Sequence, residues 1–150
     1  MYCYYKNEED TQRALDEEGW LHTGDLGVID RDHFVFIRGR SKSVILGPSG
    51  ENIYPEEIES KLNNLPYVQE SLVLENNGKL VALVYPDYEK ADREEVNTEY
   101  QLEEIMKQNR RELNERLPKF KQISGIKLYP TEFEKTPKRS IRRFLYTIEE

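Results

Sequence analysis

The sequence predicts an α+β fold, and three observations carry that prediction. Two β-rich runs, Val68 to Glu75 and Lys79 to Tyr85, flank Asn77-Gly78, the strongest short hairpin signal a sequence offers, so these strands are antiparallel. Two stretches repeat apolar residues at helical spacing: Ile58, Leu62 and Leu65, and then Leu102, Ile105, Met106, Leu113 and Leu117. The elements run hairpin, strand, helix, two strands, helix and strand, which is not the alternating order of a parallel βαβ chain.

Taken in order, Asn7 caps a short helix whose first turn is acidic (Glu8, Glu9, Asp10) and which ends near Gly19. Leu26 to Ile37 alternates in two halves around the polar stretch Asp30 to His33, the pattern of a hairpin. Val44 to Leu46 is a short strand leading into the loop GPSGEN, where Gly47, Pro48 and Gly50 disfavour regular structure. Pro55 suits the first helical position, and Pro66 stops that helix. Pro86 to Thr98 reads as charged and irregular, Pro118 ends the long helix, and Ile126 and Leu128 alternate in a last strand. The hairpin and helix of the first forty residues are too little to close a core, so they read as the edge of a neighbouring domain.

A chain of 150 residues can bury roughly 70% of its unfolded surface, enough for one domain with a real core. The net charge of −7, and a basic tail without interleaved aromatics, exclude a surface built for nucleic acid. The one cysteine, Cys3, cannot form an intramolecular disulfide, which predicts a reducing, cytoplasmic location. No run approaches the ~18 apolar residues of a membrane span, so any membrane contact is peripheral. His22 and His33 stand apart from each other, and no metal site is predicted.

Chemistry gathers in three segments. In GWLHTGDLG, residues 19–27, Thr23 and Gly24 place Asp25 at the start of a strand, where a carboxylate can accept hydrogen bonds from two vicinal hydroxyls. IRGRSK occupies 37–42 and GPSGENIYPEEIE occupies 47–59. In this order the three segments resemble successive signatures of the acyl-CoA synthetase, luciferase and peptide-synthetase adenylation family. The wording of LGPSGENIYPEEIE and KTPKRSIRRFLY is most similar to bacterial long-chain fatty acid CoA ligases.

The resemblance implies a small C-terminal lid domain, a mostly antiparallel sheet with packed helices, over residues 40–150, with 1–39 as the end of a large adenylation domain. It implies ATP and CoA as cosubstrates, a fatty acid as substrate, the missing N-terminal domain as partner, and Mg²⁺ held outside this chain. Asp25 matches the aspartate that binds ribose hydroxyls, and Arg40 an arginine on the ribose or phosphate side. Lys42 matches the hinge, with Gly39 easing its motion, and Gly50 matches the close-approach glycine of the tunnel for the CoA thiol. ERLPKFKQI, residues 115–123, resembles a segment near the CoA nucleotide, which nominates Lys119 and Lys121 for its phosphates. Glu57 and Glu59 are expected to be surface acids without a catalytic role.

One departure matters. The last signature of the family reads Pro-Lys-Thr, two variable residues, Gly, Lys, Ile, any residue and Arg. Aligned on Lys135-Thr136 and on Ile141 and Arg143, Arg139 falls on the glycine and Ser140 on the lysine that drives adenylation. A serine hydroxyl cannot supply an ammonium's field. Five of the nine residues from Lys135 to Arg143 are basic, so Lys138 or Arg139 is expected to supply that charge. The alternative is a non-catalytic interaction or regulatory module that keeps the lid fold. In either case this chain lacks the phosphate loop and acid pocket of the large domain and is expected to be inactive alone.

Overall fold

The computed structural model describes residues 1–96 and 98–148, and the chain divides into two compact units, Met1–Ser43 and Val44–Glu150. In the first, the Asn7 side chain accepts the amide of Asp10 and starts α1, Glu8–Ala14. The helix stops at Ala14, short of the expected Gly19. Asp16 Oδ1 takes the amides of Glu18 and Trp20, offering this backbone a turn in place of further helix. The Trp20 amide is also the main reason the Asp16 carboxyl lies below its ordinary value.

Strands β1, Asp25–Ile29, and β2, Val35–Arg40, form an antiparallel hairpin. Asp30 Oδ1 closes its turn by accepting the amides of Asp32 and Phe34, each at 2.9 Å. No residue of this unit is buried. Val28, Ile29, Val35, Phe36 and Ile37 are all exposed, so the hairpin has no covered face.

The second unit opens with a two-residue ladder between β3, Ile45–Leu46, and β4, Asn52–Ile53. Helix α2, Pro55–Leu62, follows with proline in its first turn. Strands β5, Val68–Asn76, and β6, Lys79–Pro86, pair antiparallel around Asn77-Gly78. Both turn residues have positive φ, 51° and 76°, the requirement that favours Asn-Gly.

The stretch expected to be irregular contains a helix, α3, Tyr88–Arg93, capped by Asp87, whose side chain accepts the Lys90 amide. Only Ala91 of α3 is buried, so no apolar period announces it. Thr98 and Gln101 form a capping box on α4, Glu99–Glu115. Strand β7, Ile123–Leu128, then pairs with β6 in parallel, giving the order β5-β6-β7. The sheet is therefore mixed, with one antiparallel pair and one parallel pair. A parallel neighbour needs a crossover of a dozen or more residues, and α4 supplies it.

Both faces of the sheet are covered. Val73, Leu80, Ala82 and Val84 join Ile58, Leu62, Met106 and Leu113 in the main core, under α2 and α4. Leu72 and Leu83 point the other way and pack with Phe133, against which Tyr129, Ile141 and Tyr146 lean. The chain after β7 thus covers the second face. Leu62, 0% exposed, anchors the main core. Leu62→Ala is expected to lower unfolding free energy by about 2–5 kcal/mol in urea titration, the cost of lost transfer energy plus a cavity.

Candidate functional site

The nominated residues fall into three groups. The first lies where the β1–β2 hairpin closes. Asp25 and Arg40 are cross-strand partners, and Arg40 Nε sits 2.9 Å from Asp25 Oδ1. Arg40 Nη1 also donates to the Thr23 carbonyl at 3.1 Å, while Thr23 Oγ1 accepts the Asp25 amide. Gly24, at φ +75°, turns the chain so that its own carbonyl receives the Ser41 amide. The result is a carboxylate held at one oxygen by a guanidinium, near the surface. A carboxylate has about four lone-pair sites, so one such contact leaves it able to accept from a diol. Lys42 lies in the 3₁₀ turn Ser41–Ser43, and the division between the two units falls directly after it.

The second group surrounds the loop between β3 and β4. The Gly47 amide donates to the Glu51 carbonyl, and the Gly50 amide to the Gly47 carbonyl. Gly50 adopts φ +86°, with nothing of this chain within 4 Å of where a Cβ would stand. Its glycine is required by the backbone conformation. Gly47 is the crowded one: a Cβ there would lie 2.8 Å from Glu51 Oε2.

A cavity of about 360 Å³ opens beside this loop, lined by Gly47, Pro48, Lys79, Lys119, Phe120 and Ile123 among others. Lys119 is on its wall; Lys121 is not. Lys121 Nζ lies 2.7 Å from Glu57 Oε2, tying the segment after α4 to α2. Lys79 and Phe120 were missed in the sequence. The cavity joins the Asn77-Gly78 turn to the segment after α4, and no local pattern connects these.

The third group is the tail. Thr136 N donates to the Ser140 carbonyl and Arg139 N to the Thr136 carbonyl, both at 2.8 Å, and Lys135 and Ile141 bridge antiparallel. This makes a tight hairpin with Lys138, Arg139 and Ser140 exposed at its tip. Arg139 has φ +62°, at the position where the resemblance puts glycine.

Below the tip, Lys135 Nζ meets Glu70 Oε1 at 2.6 Å, and this hydrogen bond pushes the ammonium up from its ordinary 10.5. Arg143 donates to Glu59 and to the Val73 carbonyl. Glu59, expected on the surface, is 8% exposed, and its Oε1 accepts the Val73 amide at 2.6 Å. The correction has a simple cause: Glu59 follows Ile58 on the buried side of α2, and its charge is met by a residue far along the chain. Burial pushes the Glu59 carboxyl above its ordinary range, against the opposing pull of Arg143 and the Val73 amide.

Residues 42–147 match the family described as AMP-binding enzyme C-terminal domain. The chain belongs to this family. Among curated proteins, this AMP-binding C-terminal domain is 38% identical over 82 residues to the long-chain-fatty-acid–CoA ligase ACSBG2 of Gallus gallus, covering 54% of the chain and 11% of that protein. It is 40% identical over 86 residues to ACSBG1 of Homo sapiens, covering 56% and 12%. The chain thus spans roughly an eighth of the length of these relatives or less.

Among solved structures, the O-succinylbenzoate coenzyme A synthetase of Bacillus subtilis in complex with AMP superposes with TM-score 0.70 at 26% identity, covering 99% of this chain and 28% of that one. The adenylation domain of a carboxylate reductase from Mycobacterium chelonae, at 21% identity and TM-score 0.77, covers 95% and 24% and shares the fold. Among the described residues, no three His, Cys, Asp or Glu side chains converge on a metal-binding point, and no helix is long and apolar enough to cross a membrane.

Two outcomes test this geometry. A left-handed φ costs a non-glycine residue about 1 kcal/mol, so Arg139→Gly is expected to raise unfolding free energy by about that amount; a loss would mean that the Arg139 side chain holds the tip. The second concerns Glu59, whose folded pKa is raised from 4.5. The folded chain retains a proton that the unfolded chain releases, so Glu59 contributes stability that is full below its unfolded pKa and is lost as pH rises through the folded value. Glu59→Gln removes this titration. Parent minus variant stability should therefore fall as pH rises from the ordinary carboxylate range through the raised folded value, and a rise would reverse the sign assigned to Glu59.

Proposed function

We propose that this domain is the mobile lid of an ATP-dependent fatty acid:CoA ligase. The observation that carries the reading is the division of the chain after Ser43, directly beyond Lys42: a lid that serves two half-reactions must rotate about a few residues between two bodies. Residues 1–39 are then the end of the large domain. The uncovered apolar β1–β2 hairpin supports this, because a two-stranded hairpin is marginal in water unless another surface covers it.

In the first half-reaction, a fatty-acid carboxylate oxygen attacks the α-phosphorus of ATP; the acyl–O–P bond forms and pyrophosphate leaves. Asp25 accepts the ribose hydroxyls, and Arg40 holds that carboxylate in place and adds positive charge on the phosphate side. Lys138 or Arg139 supplies the charge that Ser140 lacks, at the oxygens where negative charge builds up. Mg²⁺ commonly assists such chemistry; among the described residues no cluster of metal-ligating side chains is present to hold it.

In the second half-reaction, the CoA sulfur attacks the acyl carbon, and AMP leaves with the electrons of the acyl–oxygen bond. The Gly47–Ile53 loop lines the thiol's path, and Lys119 meets a CoA phosphate at the neighbouring cavity. Lys121, paired with Glu57, positions that segment instead. A cytoplasmic location fits the single exposed Cys3. Ser140 favours a second reading, a lid fold retained as a non-catalytic module.

Pyrophosphate exchange by the full-length enzyme separates the two. The double variant Lys138→Ala, Arg139→Ala should lose about a hundredfold in exchange, whereas absence of exchange in the parent supports the module. Lys119→Ala should raise the KM for CoA about tenfold with exchange unchanged, the loss of one charged hydrogen bond. The isolated 150-residue chain should form no thioester from ATP, CoA and a fatty acid.

A further inference from the structure

The tail hairpin is held by more than its own hydrogen bonds. Its rungs are few: Thr136 to Ser140, Arg142 to Glu134, and the Lys135–Ile141 bridge. A lone hairpin of this size does not persist in water. On its inner side Phe133, 3% exposed, stacks on Tyr129 and meets Tyr146 edge-on, each at 5.1 Å. This apolar contact fixes where the chain lies over the sheet. Ile141, on the returning leg, leans on the same cluster.

Charge adds a restraint to each leg. One leg is clipped through Lys135 to Glu70 on β5. The other leg leads to Arg143, which reaches Glu59 and, at 3.7 Å, Glu56 on α2, as well as the Val73 carbonyl on β5. Three carboxylates on α2 and β5 therefore receive two tail cations, Lys135 lying also 3.8 Å from Glu132 of the tail itself, and Oε2 of Glu56 and of Glu70 are buried without a hydrogen-bond donor among the described residues. Burying ion pairs is a poor way to gain stability, since well-packed apolar residues usually do as well. What such pairs supply is a fixed register. The apolar cluster already covers this face of the sheet, so the clips add position.

We infer that Arg143 and Lys135, acting with Glu59 and Glu70, are positioning residues for adenylation: they hold the 135–141 hairpin so that its basic tip is presented in one orientation. None of the four touches the reacting atoms. The inference rests on the reading above, in which that tip supplies charge to the first half-reaction. It adds that the tip works only while both legs are clipped.

The test uses the full-length enzyme and measures two reactions separately, pyrophosphate exchange and thioester formation from supplied acyl-adenylate. Arg143→Ala and Lys135→Ala should each lower exchange by about tenfold to a hundredfold, the effect of a misplaced group. Thioester formation should stay within about twofold of the parent, because its loop and cavity lie elsewhere. Arg143→Lys, which keeps charge but loses the fork, should recover exchange only in part. Adding Lys138→Ala and Arg139→Ala to Arg143→Ala should cost little more, since the tip is already displaced.

Equal loss of both reactions, in step with melting temperature, would reduce the clips to a structural role and overturn the inference. So would unchanged exchange in Lys135→Ala and Arg143→Lys, which also serve if Arg143→Ala fails to fold. Loss of exchange in the tip variant with none in the clip variants defeats this inference alone. Parental exchange in the tip variant defeats the underlying reading as well.

Discussion

The Glu59 carboxylate is the point on which the second unit turns. One oxygen accepts the Val73 amide in the middle of β5, and the other receives Arg143 from the tail. The charge sits on α2, so helix, sheet and tail meet at one group. A buried carboxylate is costly unless fully partnered, which makes this contact conditional: when the tail leaves, α2 retains an unpaired charge against the sheet. The tail is therefore part of the domain's structure even though most of its residues are exposed.

That constraint explains why the sheet needs two covered faces. Successive residues of β5 alternate between the two clusters, Leu72 and Leu74 on one side and Val73 on the other. The helices cover one face. The tail, through Phe133, Ile141 and Tyr146, covers the second, and the two ion-pair clips stand at the edge of that cover. Asn114 extends the logic to β7, exchanging hydrogen bonds with the amide and carbonyl of Ile123 as a strand neighbour would. Polar side chains here finish ladders that the backbone leaves open.

How much of this was legible depends on the range of the interaction. Asn77-Gly78, Pro55 and the apolar period of α4 act within a few residues, and each produced the expected element. The parallel pairing of β7 was not legible, because local alternation says nothing about direction; the crossover length through α4 decides it. Helix α3 was hidden by its lack of a buried stripe, although Asp87 was a readable cap. At the site, Asp25 and Arg40 were named separately and meet because the hairpin register pairs them. Lys119 and Lys121 looked equivalent. Two residues apart in a 3₁₀ turn, they diverge, one to the cavity and one to Glu57.

In the tail, backbone strain and positive charge meet at one turn. Arg139 adopts a left-handed turn, at the conformational cost of a side chain there. A strained non-glycine residue persists only where its surroundings over-determine it, and the clips at Lys135 and Arg143 are such surroundings. They constrain both legs, so the turn between them has little freedom to relax. The same restraint that tolerates Arg139 also places its guanidinium and the Lys138 ammonium at the tip. A hairpin held at both legs presents these two cations at one exposed place.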